Sequence, residues 1–260
     1  MSRSAEDKYA RREVELAQKL QSSDAKDRKT LYTEIYEELY TFYSDGKRRD
    51  LCEHYLEHSS YSNDFVLKLL PPQATVLEVG SGFGHAAAAF ARAGHKVSGI
   101  DINRIHVREA EELYGNIPGL DFQFMNACEL NFEDESFDLV TSKSVYEHIH
   151  PDDIDKHLAE VTRVLKPGGA YVVFTTTSTG NRGDICECTD DPDLRGQRGL
   201  HINEGSWRDI RRQFGRSGLV ARTNIMPRRF EKSMGKRTVL VPLSTSVQES
   251  PPFVVRMINP

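Results

Sequence analysis

The sequence predicts an α/β fold in which helices cover both faces of a mostly parallel sheet. Between residues 71 and 177, five short apolar segments with strand character alternate with amphipathic helical segments. Such alternation is typical of a parallel sheet, because each crossover helix returns the chain to the same end of the sheet. We expect right-handed crossovers, as nearly all such connections have.

The length and composition fit a globular protein with either one large domain or one domain with an appendage. The 260 residues are 38% apolar and 28% charged, and the formal net charge is −5. A chain of this size and composition can bury a substantial core. The acidic balance disfavours nucleic acid as a partner, because nucleic-acid-binding proteins are more often basic.

Neither a membrane span nor a disulfide framework is predicted. No apolar run reaches the roughly 18 residues that a bilayer span needs, and the charged N-terminus lacks the apolar region of a secretory signal. We therefore expect a cytoplasmic protein. The four cysteines fit no disulfide pattern, and Cys186 and Cys188 lack the two-residue gap of a zinc knuckle, so we interpret them as reduced thiols.

Residues 1–70 predict a helical cap. In RKTLYTEIYEELYTFY, apolar residues recur at helical spacing beside a stripe of tyrosines at positions 32, 36, 40 and 43. The stripe fits either helix packing or a lid over a ligand, and packing is the commoner reason. Asp45 and Gly46 predict the end of this helix, and DFVLKLLPP predicts the end of another, stopped by its two prolines.

The strands of the sheet are predicted in order from TVLEVG, HKVSGID, LDFQFMN, SFDLVTSK and AYVVFTT. The helices between them are predicted from HAAAAFARAG, NRIHVREAEELYG and PDDIDKHLAEVTRVLKPGG. Asn103 is the expected N-cap of the second helix, and Gly94 and Gly115 follow helix ends. Pro151 begins the third helix, whose acidic first turn suits the helix dipole.

The chain becomes less regular after the fifth strand. Residues 178–203 predict an irregular insertion. A helix near EGSWRDIRRQFGRSG follows, with Ser206 and Asp209 as a capping box, and LVARTNIM and FVVRMIN predict closing strands. Long loops inside compact domains are usually functional or disordered, which draws attention to the insertion.

A glycine-rich loop follows the first predicted strand and has the pattern G-x-G-x-G, formed by Gly80, Gly82 and Gly84. Open parallel sheets bind ligands beyond the carboxyl ends of their strands, and glycines let backbone N–H groups approach a ligand closely. The dinucleotide fingerprint needs its third glycine where this chain has His85, and the P-loop lysine is absent. Asp101, about 20 residues beyond the glycines, can accept hydrogen bonds from ribose hydroxyls. The loop therefore predicts a different adenosine ligand.

With Glu78 before it and Asp101 after it, the glycine loop resembles motif I of the class I S-adenosylmethionine-dependent methyltransferases. MNACELNFEDESFDLVTSKSVYEHI resembles the stretch through that family's fourth strand, and VTRVLKPGGAYVVF resembles its helix, turn and fifth strand. The resemblance covers roughly residues 65–177. It implies a Rossmann-like, seven-stranded, mostly parallel sheet with an antiparallel last strand. Residues 1–70 would form the helical cap, and residues 71–260 the methyltransferase domain with a substrate-side insertion at 178–203.

The resemblance implies S-adenosyl-L-methionine as cofactor and S-adenosyl-L-homocysteine as product. Glu78, Gly80 and Gly82 would lie at the methionine end. Asp101 would hold the ribose, and Ile102 would pack on the adenine. Asn126 stands where family members commonly have aspartate at the adenine amino group, and the backbone N–H of Cys128 could reach an adenine nitrogen. The implied cofactor-binding residues are Glu78, Gly80, Ser81, Gly82, Gly84, Asp101, Ile102, Asn126, Ala127, Cys128 and Ser142, the last near the sulfonium.

The stretch VYEHIH after the fourth strand holds the candidate catalytic residues. His148 is the best candidate for a general base, because an imidazole pKa near 6.5 suits proton removal at neutral pH. Tyr146 and Glu147 could orient the substrate or the base. Glu147 and His148 could also hold a divalent ion, but we expect no metal site. His150 fits a helix-entry residue, and His201 is a weaker base candidate.

These features predict methyl transfer to an oxygen or nitrogen atom of a small-molecule metabolite, by in-line displacement. Positioning supplies much of such catalysis, since the sulfonium methyl is already electrophilic. We expect a monomer or homodimer with a small-molecule acceptor. The alternatives are a methyltransferase acting on protein or RNA, and a non-catalytic subunit that binds the cofactor.

Two charged segments leave the acceptor open. The acidic residues of the insertion would favour a cationic amine, and its arginines a carboxylate or phosphate. A solvated loop with local ion pairs is the slightly favoured explanation of these charges. The basic segment 226–237 could contact a phosphate or an acidic protein surface, but a solvated connection between strands is the commoner case.

Overall fold

The computed structural model describes residues 3–43, 62–176, 191–194, 197–221, 224–225, 240–241 and 255–258. Several predictions concern residues outside these ranges. They are the helix end at Asp45 and Gly46, most of the insertion with Cys186 and Cys188, and the basic segment 226–237.

The N-terminal part forms two long helices and a short one. Helix α1 spans Arg3–Gln21, α2 spans Ala25–Tyr43, and α3 covers residues 62–69. Asp24 caps α2, because its carboxylate accepts from the backbone N–H groups of Lys26 and Asp27, both at 2.9 Å. The first two helices share a buried apolar cluster that also contains Leu200 and Ile202. We call α1 and α2 the cap helices.

Five strands and three helices alternate through the middle of the chain, as the sequence predicts. Their bounds are β1 Thr75–Val79, α4 His85–Arg92, β2 Lys96–Asp101, α5 Arg104–Tyr114, β3 Leu120–Phe124, β4 Phe137–Lys143, α6 Ile154–Val164 and β5 Leu165–Phe174. The five strands are parallel in the order β3-β2-β1-β4-β5. The α/β, Rossmann-like fold with a parallel sheet is therefore confirmed.

The strand order reverses beside β1, which pairs with β2 on one side and β4 on the other. The chain that leaves β1 and the chain that leaves β4 therefore border a crevice at the carboxyl edge of the sheet. Such a point is the usual ligand site of an open α/β sheet.

Local signals set the helix ends. The Asn103 side chain accepts from the N–H groups of Ile105 and His106 at the start of α5, as an N-cap does. Ser206 and Asp209 form the predicted capping box of α7, which spans Trp207–Arg216.

One predicted boundary is wrong. The helix expected from Pro151 begins as a 3-10 turn, Pro151–Asp153, and α6 ends at Val164. The Lys-Pro-Gly-Gly segment, expected as a turn, lies inside β5, where Gly168 has a φ of 76°. The pairing of β4 with β5 shifts register between Phe137 and Leu139. The turn residues of β5 therefore lie in an irregular part of the strand pairing, and β5 continues beyond them.

Short segments follow α7. They are β6 Val220–Ala221, β7 Asn224–Ile225, β8 Leu240–Val241 and β9 Val255–Ile258. β9 pairs antiparallel with β5 and with β6, whereas β7 and β8 pair with each other. None of the helices in the described ranges is both long enough and apolar enough to cross a bilayer.

Candidate active site

A cleft of about 1040 Å³ opens at the carboxyl edge of the sheet, beneath the cap helices. This volume lies at the upper end of the range typical of small-molecule pockets. We define two ends of it. The glycine-loop end holds Glu78, Gly80, Ser81, Gly82 and Asp101, and the histidine end holds Glu147, His148, Thr175 and His201.

The glycine loop is held against the end of β2 by its own backbone. The N–H groups of Gly80 and Ser81 both donate to the carbonyl of Ile100, at 2.8 and 2.9 Å. Gly82 donates to Oδ2 of Asp101 at 2.8 Å. Gly80 has a φ of 71°, and a Cβ there would overlap Val145. The loop therefore depends on glycine at this position for both its conformation and its packing.

Gly84 and Ser81 differ in their position relative to the cleft. Gly84 does not line the cleft, and a Cβ there would overlap the ring of Phe122. Its predicted contact with a cofactor is therefore wrong, and it instead lets the start of α4 pack on the sheet. The Ser81 hydroxyl lines the cleft and is buried without a hydrogen-bond partner among the described residues.

Glu78 is a buried carboxyl group at the glycine-loop end. Its Oε2 accepts from the N–H of Ala87, in the first turn of α4, at 2.8 Å. The pKa of Glu78 is raised to about 8, chiefly by burial; the Ala87 N–H and Lys143 oppose the rise, and Asp101 adds to it. The group is therefore poised to change charge when a cation arrives.

Asp101 is held from two sides. Its Oδ1 accepts from the N–H of Asn103 at 2.8 Å, while Oδ2 accepts from Gly82. The rings of Tyr40, Phe83 and His106 form an aromatic wall beside it. The ring centroid of His106 lies 4.7 Å from that of Tyr40 and 4.9 Å from that of Phe83. Sequence reasoning included Tyr40 in the tyrosine stripe but did not place it beside Asp101, because Tyr40 comes from α2 and reaches this end only through the tertiary fold; Phe83 and His106 were missed.

Asn126, Ala127, Cys128 and Ile102 also line the cleft. The backbone N–H of Cys128, expected to reach an adenine, donates instead to Oδ1 of Asn126 at 2.8 Å. The contact with adenine therefore stays a prediction, and it would require this local hydrogen bond to be shared or exchanged. Burial raises the pKa of the Cys128 thiol to about 12, so it is not a nucleophile at neutral pH.

Ser142 lies on the far side of β4. Its hydroxyl pairs with the hydroxyl of Tyr171 at 2.8 Å, and it does not line the cleft, whereas Thr141 and Lys143 do. The predicted position of Ser142 is wrong because successive strand side chains point to opposite faces. Lys143 was missed, because alternation along a strand does not tell which of two neighbouring residues faces the cleft. Burial lowers its pKa, and Glu78 counteracts that shift.

Tyr146 is a core residue. It is fully buried, its hydroxyl donates to Oε1 of Gln213, and its ring stacks on Phe214 with centroids 5.1 Å apart. It does not line the cleft, which does not support its predicted role of orienting the substrate; its other predicted role, orienting the base, stays a prediction. Its neighbours Glu147 and His148 do reach the cleft, since the 3-10 turn Tyr146–His148 sends its side chains in different directions.

The histidine end brings together three potential ligand groups. One oxygen or nitrogen atom from each of Glu147, His148 and His201 lies within 4.8 Å of the other two. Glu147 is fully buried, and burial raises its pKa, whereas His201 lowers it. Its Oε2 accepts from the Thr175 hydroxyl at 2.9 Å, and its Oε1 is buried without a hydrogen-bond partner among the described residues.

Both imidazoles are oriented through Nδ1. His148 Nδ1 lies 3.1 Å from the carbonyl oxygen of Leu200, and His201 Nδ1 lies 3.1 Å from Oε1 of Glu204. The two rings meet edge to face with centroids 4.8 Å apart, and His148 meets Tyr36 in the same way at 5.8 Å. Sequence reasoning identified both histidines but had no signal that joined them.

The cap helices close the cleft over its histidine end. They contribute Tyr9, Glu13, Tyr32, Tyr36, Leu39 and Tyr40 to its lining. The stripe tyrosines at positions 32, 36 and 40 therefore serve both packing and the cleft wall, which the sequence presented as alternatives.

A buried ion pair attaches the cap helices to the sheet domain. Arg28 donates to both carboxylate oxygens of Asp153, at 2.8 and 3.0 Å, and the Tyr32 hydroxyl donates to Oδ2 at 3.1 Å. The N–H of His150 in turn donates to Tyr32, and His150 accepts from Asp152 N at the helix entry predicted for it. The cap is thus joined to the segment that carries His148.

Comparison with known proteins finds a methyltransferase domain in the middle of the chain. Residues 77–173 match the family model described as a methyltransferase domain. Together with the parallel α/β sheet, the glycine loop and Asp101, this match shows a Rossmann-like methyltransferase domain over residues 77–173 of the chain.

The similar proteins have names that mention different molecules. Over 108 residues the chain is 43% identical to phthiotriol/phenolphthiotriol dimycocerosates methyltransferase 1 of Mycobacterium ulcerans, covering 41% of this chain and 38% of that protein. Over 109 residues it is 37% identical to ubiquinone/menaquinone biosynthesis C-methyltransferase UbiE of Desulfotalea psychrophila, covering 41% and 43%. The matched part of the chain thus spans about two fifths of the length of these relatives.

Solved structures share the fold across more of the chain. Burkholderia thailandensis 1,6-didemethyltoxoflavin-N1-methyltransferase, with bound 1,6-didemethyltoxoflavin and S-adenosylhomocysteine, superposes with a TM-score of 0.63 at 16% identity, covering 91% of each chain. Haemonchus contortus phosphoethanolamine N-methyltransferase 2 superposes with a TM-score of 0.58 at 21% identity, covering 75% of this chain and 47% of that one.

Proposed function

We propose that this protein transfers the methyl group of S-adenosyl-L-methionine to an oxygen or nitrogen atom of a small molecule. One observation carries the proposal, namely that a single cleft joins the glycine-loop end to the histidine end beneath the cap helices. The cofactor would occupy the first end and the acceptor the second, so that the sulfonium methyl lies between them.

The glycine-loop end supports an extended adenosine ligand. The Asp101 carboxylate would hold the ribose beside the aromatic wall, with Ile102, Asn126 and Ala127 around the adenine. Gly80 and Gly82 would lie against the methionine portion, near Glu78. The Ser81 hydroxyl and the Lys143 ammonium are further polar groups at this end, and the lysine could pair with the cofactor's carboxylate.

The histidine end supports proton removal from the acceptor. A hydrogen bond from Nδ1 of His148 to the Leu200 carbonyl fixes the tautomer in which Nε2 carries the lone pair. In the metal-free protein this nitrogen would act as the general base while the acceptor attacks the methyl carbon in line and the carbon–sulfur bond breaks.

A small acceptor is favoured by the covered cleft. The cap helices wall its histidine end with tyrosines and with Glu13, which leaves a concave site rather than an open groove. The matched names that mention dimycocerosates, quinones and didemethyltoxoflavin support the same class. We further infer that β9 and β6 complete a seven-stranded sheet with an antiparallel last strand, as the pairing of β9 with β5 supports.

Calorimetry with S-adenosylhomocysteine and turnover of methyl-labelled cofactor test the proposal. We expect saturable binding and label transfer to a member of a panel of phenols, hydroquinones and amines. Binding without transfer to any small molecule, but with transfer to protein or RNA, would favour the alternative acceptors. Absence of binding would overturn the proposal.

A further inference from the structure

We propose that Glu147, His148 and His201 form a binding site for a divalent transition-metal ion at the histidine end of the cleft. The sequence alone predicted no metal site, because His201 lies more than 50 residues from the other two. Metal binding does not depend on the proposed function, but the role of the ion in methyl transfer rests on it.

The first argument is the convergence of three ligand types. One ligand atom from each residue lies within 4.8 Å of the other two. Zinc is bound by histidine nitrogen and carboxylate oxygen at about 2.0–2.2 Å, so small side-chain rotations would bring all three atoms into its coordination sphere.

The second argument is the set of groups behind the ligands. Metal-binding histidines almost always donate their other ring N–H to a carboxylate or a backbone carbonyl, which orients the ring. Here Nδ1 of His148 faces the Leu200 carbonyl and Nδ1 of His201 faces the Glu204 carboxylate, each at 3.1 Å. The same Glu204 oxygen also accepts from the Thr176 hydroxyl at 2.7 Å, which holds the carboxylate in place. This arrangement selects Nε2 of both rings as ligands.

The third argument is the state of Glu147. Its side chain is fully buried, yet Oε1 has no hydrogen-bond partner among the described residues, while Thr175 holds Oε2. Burying a polar oxygen without a partner costs free energy, and burying a charge without one costs more. A bound cation would satisfy this oxygen and favour the carboxylate form.

The ligand set selects the kind of ion. Two imidazoles and one carboxylate suit zinc or iron(II), whereas magnesium and calcium prefer oxygen ligands. Three protein ligands leave coordination positions open on the cleft side, as in catalytic sites. An acceptor hydroxyl or phenol could bind there, because the site lies where the proposed function puts the acceptor.

A bound ion would change how the acceptor loses its proton. Coordination acidifies the hydroxyl, whose proton leaves to solvent. The oxygen then forms its bond to the methyl carbon as the carbon–sulfur bond breaks, and S-adenosylhomocysteine departs as a neutral thioether. His148 would serve as a ligand in this state, and its role as a base would belong to the metal-free protein only.

Titration of the tag-free, metal-free protein with Co²⁺ and with Zn²⁺ tests the site. We expect about one ion per chain, with visible d–d bands for Co²⁺, and a rise in Tm as a ligand of the folded state produces. Glu147→Gln and His201→Asn should each abolish stoichiometric binding. Glu204→Gln should weaken binding about 10- to 100-fold, because it supports a ligand without being one.

His106→Gln is the matched control, since this histidine lies in the same cleft but at the glycine-loop end, and it should bind metal like the wild type. Circular dichroism separates lost ligands from lost folding. If Glu147→Gln fails to fold, the loss of the Co²⁺ bands in His201→Asn decides the question.

The proposal is overturned if the wild type binds neither ion, or if the Glu147 and His201 variants bind like it. A wild type that binds S-adenosylhomocysteine but neither metal ion would reject the metal site alone. A wild type that binds metal but not S-adenosylhomocysteine would reject the proposed function alone.

Discussion

Glu78 is the residue whose charge responds most directly to a ligand. Its burial holds the pKa at about 8, so in the ligand-free protein the carboxyl group is mostly protonated at neutral pH. S-adenosylhomocysteine carries an ammonium group, and the proposed binding mode brings it to this end of the cleft. A cation there favours the ionised form and lowers the pKa.

We therefore expect S-adenosylhomocysteine binding to release a proton near pH 7 and to tighten as the pH rises toward about 8, above which the affinity levels off. Calorimetry in two buffers of different ionisation enthalpy measures the released proton. Glu78→Gln should release none. Equal proton release from this variant and from the wild type would show that another group titrates.

Gly80 and Gly82 form a matched pair for a second test. Both have positive φ, but a Cβ at Gly80 would overlap Val145, whereas at Gly82 it would meet nothing within 4 Å. We expect Gly82→Ala to lower the free energy of unfolding by about 1–2 kcal/mol, the cost of a left-handed alanine. Gly80→Ala should cost at least about 1 kcal/mol more, because it adds overpacking. Urea unfolding measures both, and equal losses would contradict the packing at Gly80.

At the scale of elements, the cap helices determine how far the cleft is enclosed. Their attachment rests on Arg28, whose side chain is 4% exposed, and on Asp153, which is 15% exposed. Removing one partner of such a pair leaves the other charge partly desolvated.

Arg28→Met should lower the free energy of unfolding by about 3 kcal/mol, the low end for a broken buried pair, because Asp153 keeps some contact with water. It should also speed proteolysis of the cap helices. Arg12→Met is the control, since Arg12 pairs with Glu38 at a site where both side chains are 42% exposed, and it should change the free energy by no more than about 1 kcal/mol. Similar losses in the two variants would mean that the Arg28 pair does not anchor the cap.

The elements and the glycine-loop end could be predicted because their signals are local. The strands, Asn103 as an N-cap and the capping box depend on residues a few positions apart. Errors arose where orientation or tertiary packing decides. Ser142 and Lys143 are adjacent on a strand buried on both faces, so hydrophobicity does not tell which one faces the cleft.

The histidine end illustrates the other limit of sequence. His148 and Glu147 were predicted from one segment, but Glu204 and the cap tyrosines come from segments far away in the chain. Tyr146, next to Glu147, is a core residue because its ring stacks on Phe214 of α7. No periodicity within VYEHIH contains that contact.

At the scale of the whole molecule, stability should depend on acidity through His157. This fully buried imidazole lies 2.8 Å from the Ala127 carbonyl and 2.9 Å from the Tyr171 hydroxyl, and burial lowers its pKa to about 4. An unfolded chain protonates the same group near pH 6.5. The unfolded state therefore binds more protons between these values, and stability falls as the pH falls.

We expect this one group to remove up to about 3 kcal/mol from the free energy of unfolding between about pH 6.5 and pH 4, and nothing above that window. Urea unfolding at several pH values measures the slope. His157→Gln should be less stable than the wild type at neutral pH but should show a flatter dependence. An unchanged slope would assign the acid sensitivity to other groups.

The central claim is that one cleft holds the cofactor at its glycine-loop end and the acceptor at its histidine end. A crystal structure with bound S-adenosylhomocysteine tests it most directly. We predict ribose hydroxyls on Asp101, the methionine portion along Gly80 and Gly82, and the sulfur facing Glu147, His148 and His201. Binding elsewhere, or a sulfur atom that faces away from these three side chains, would contradict the account.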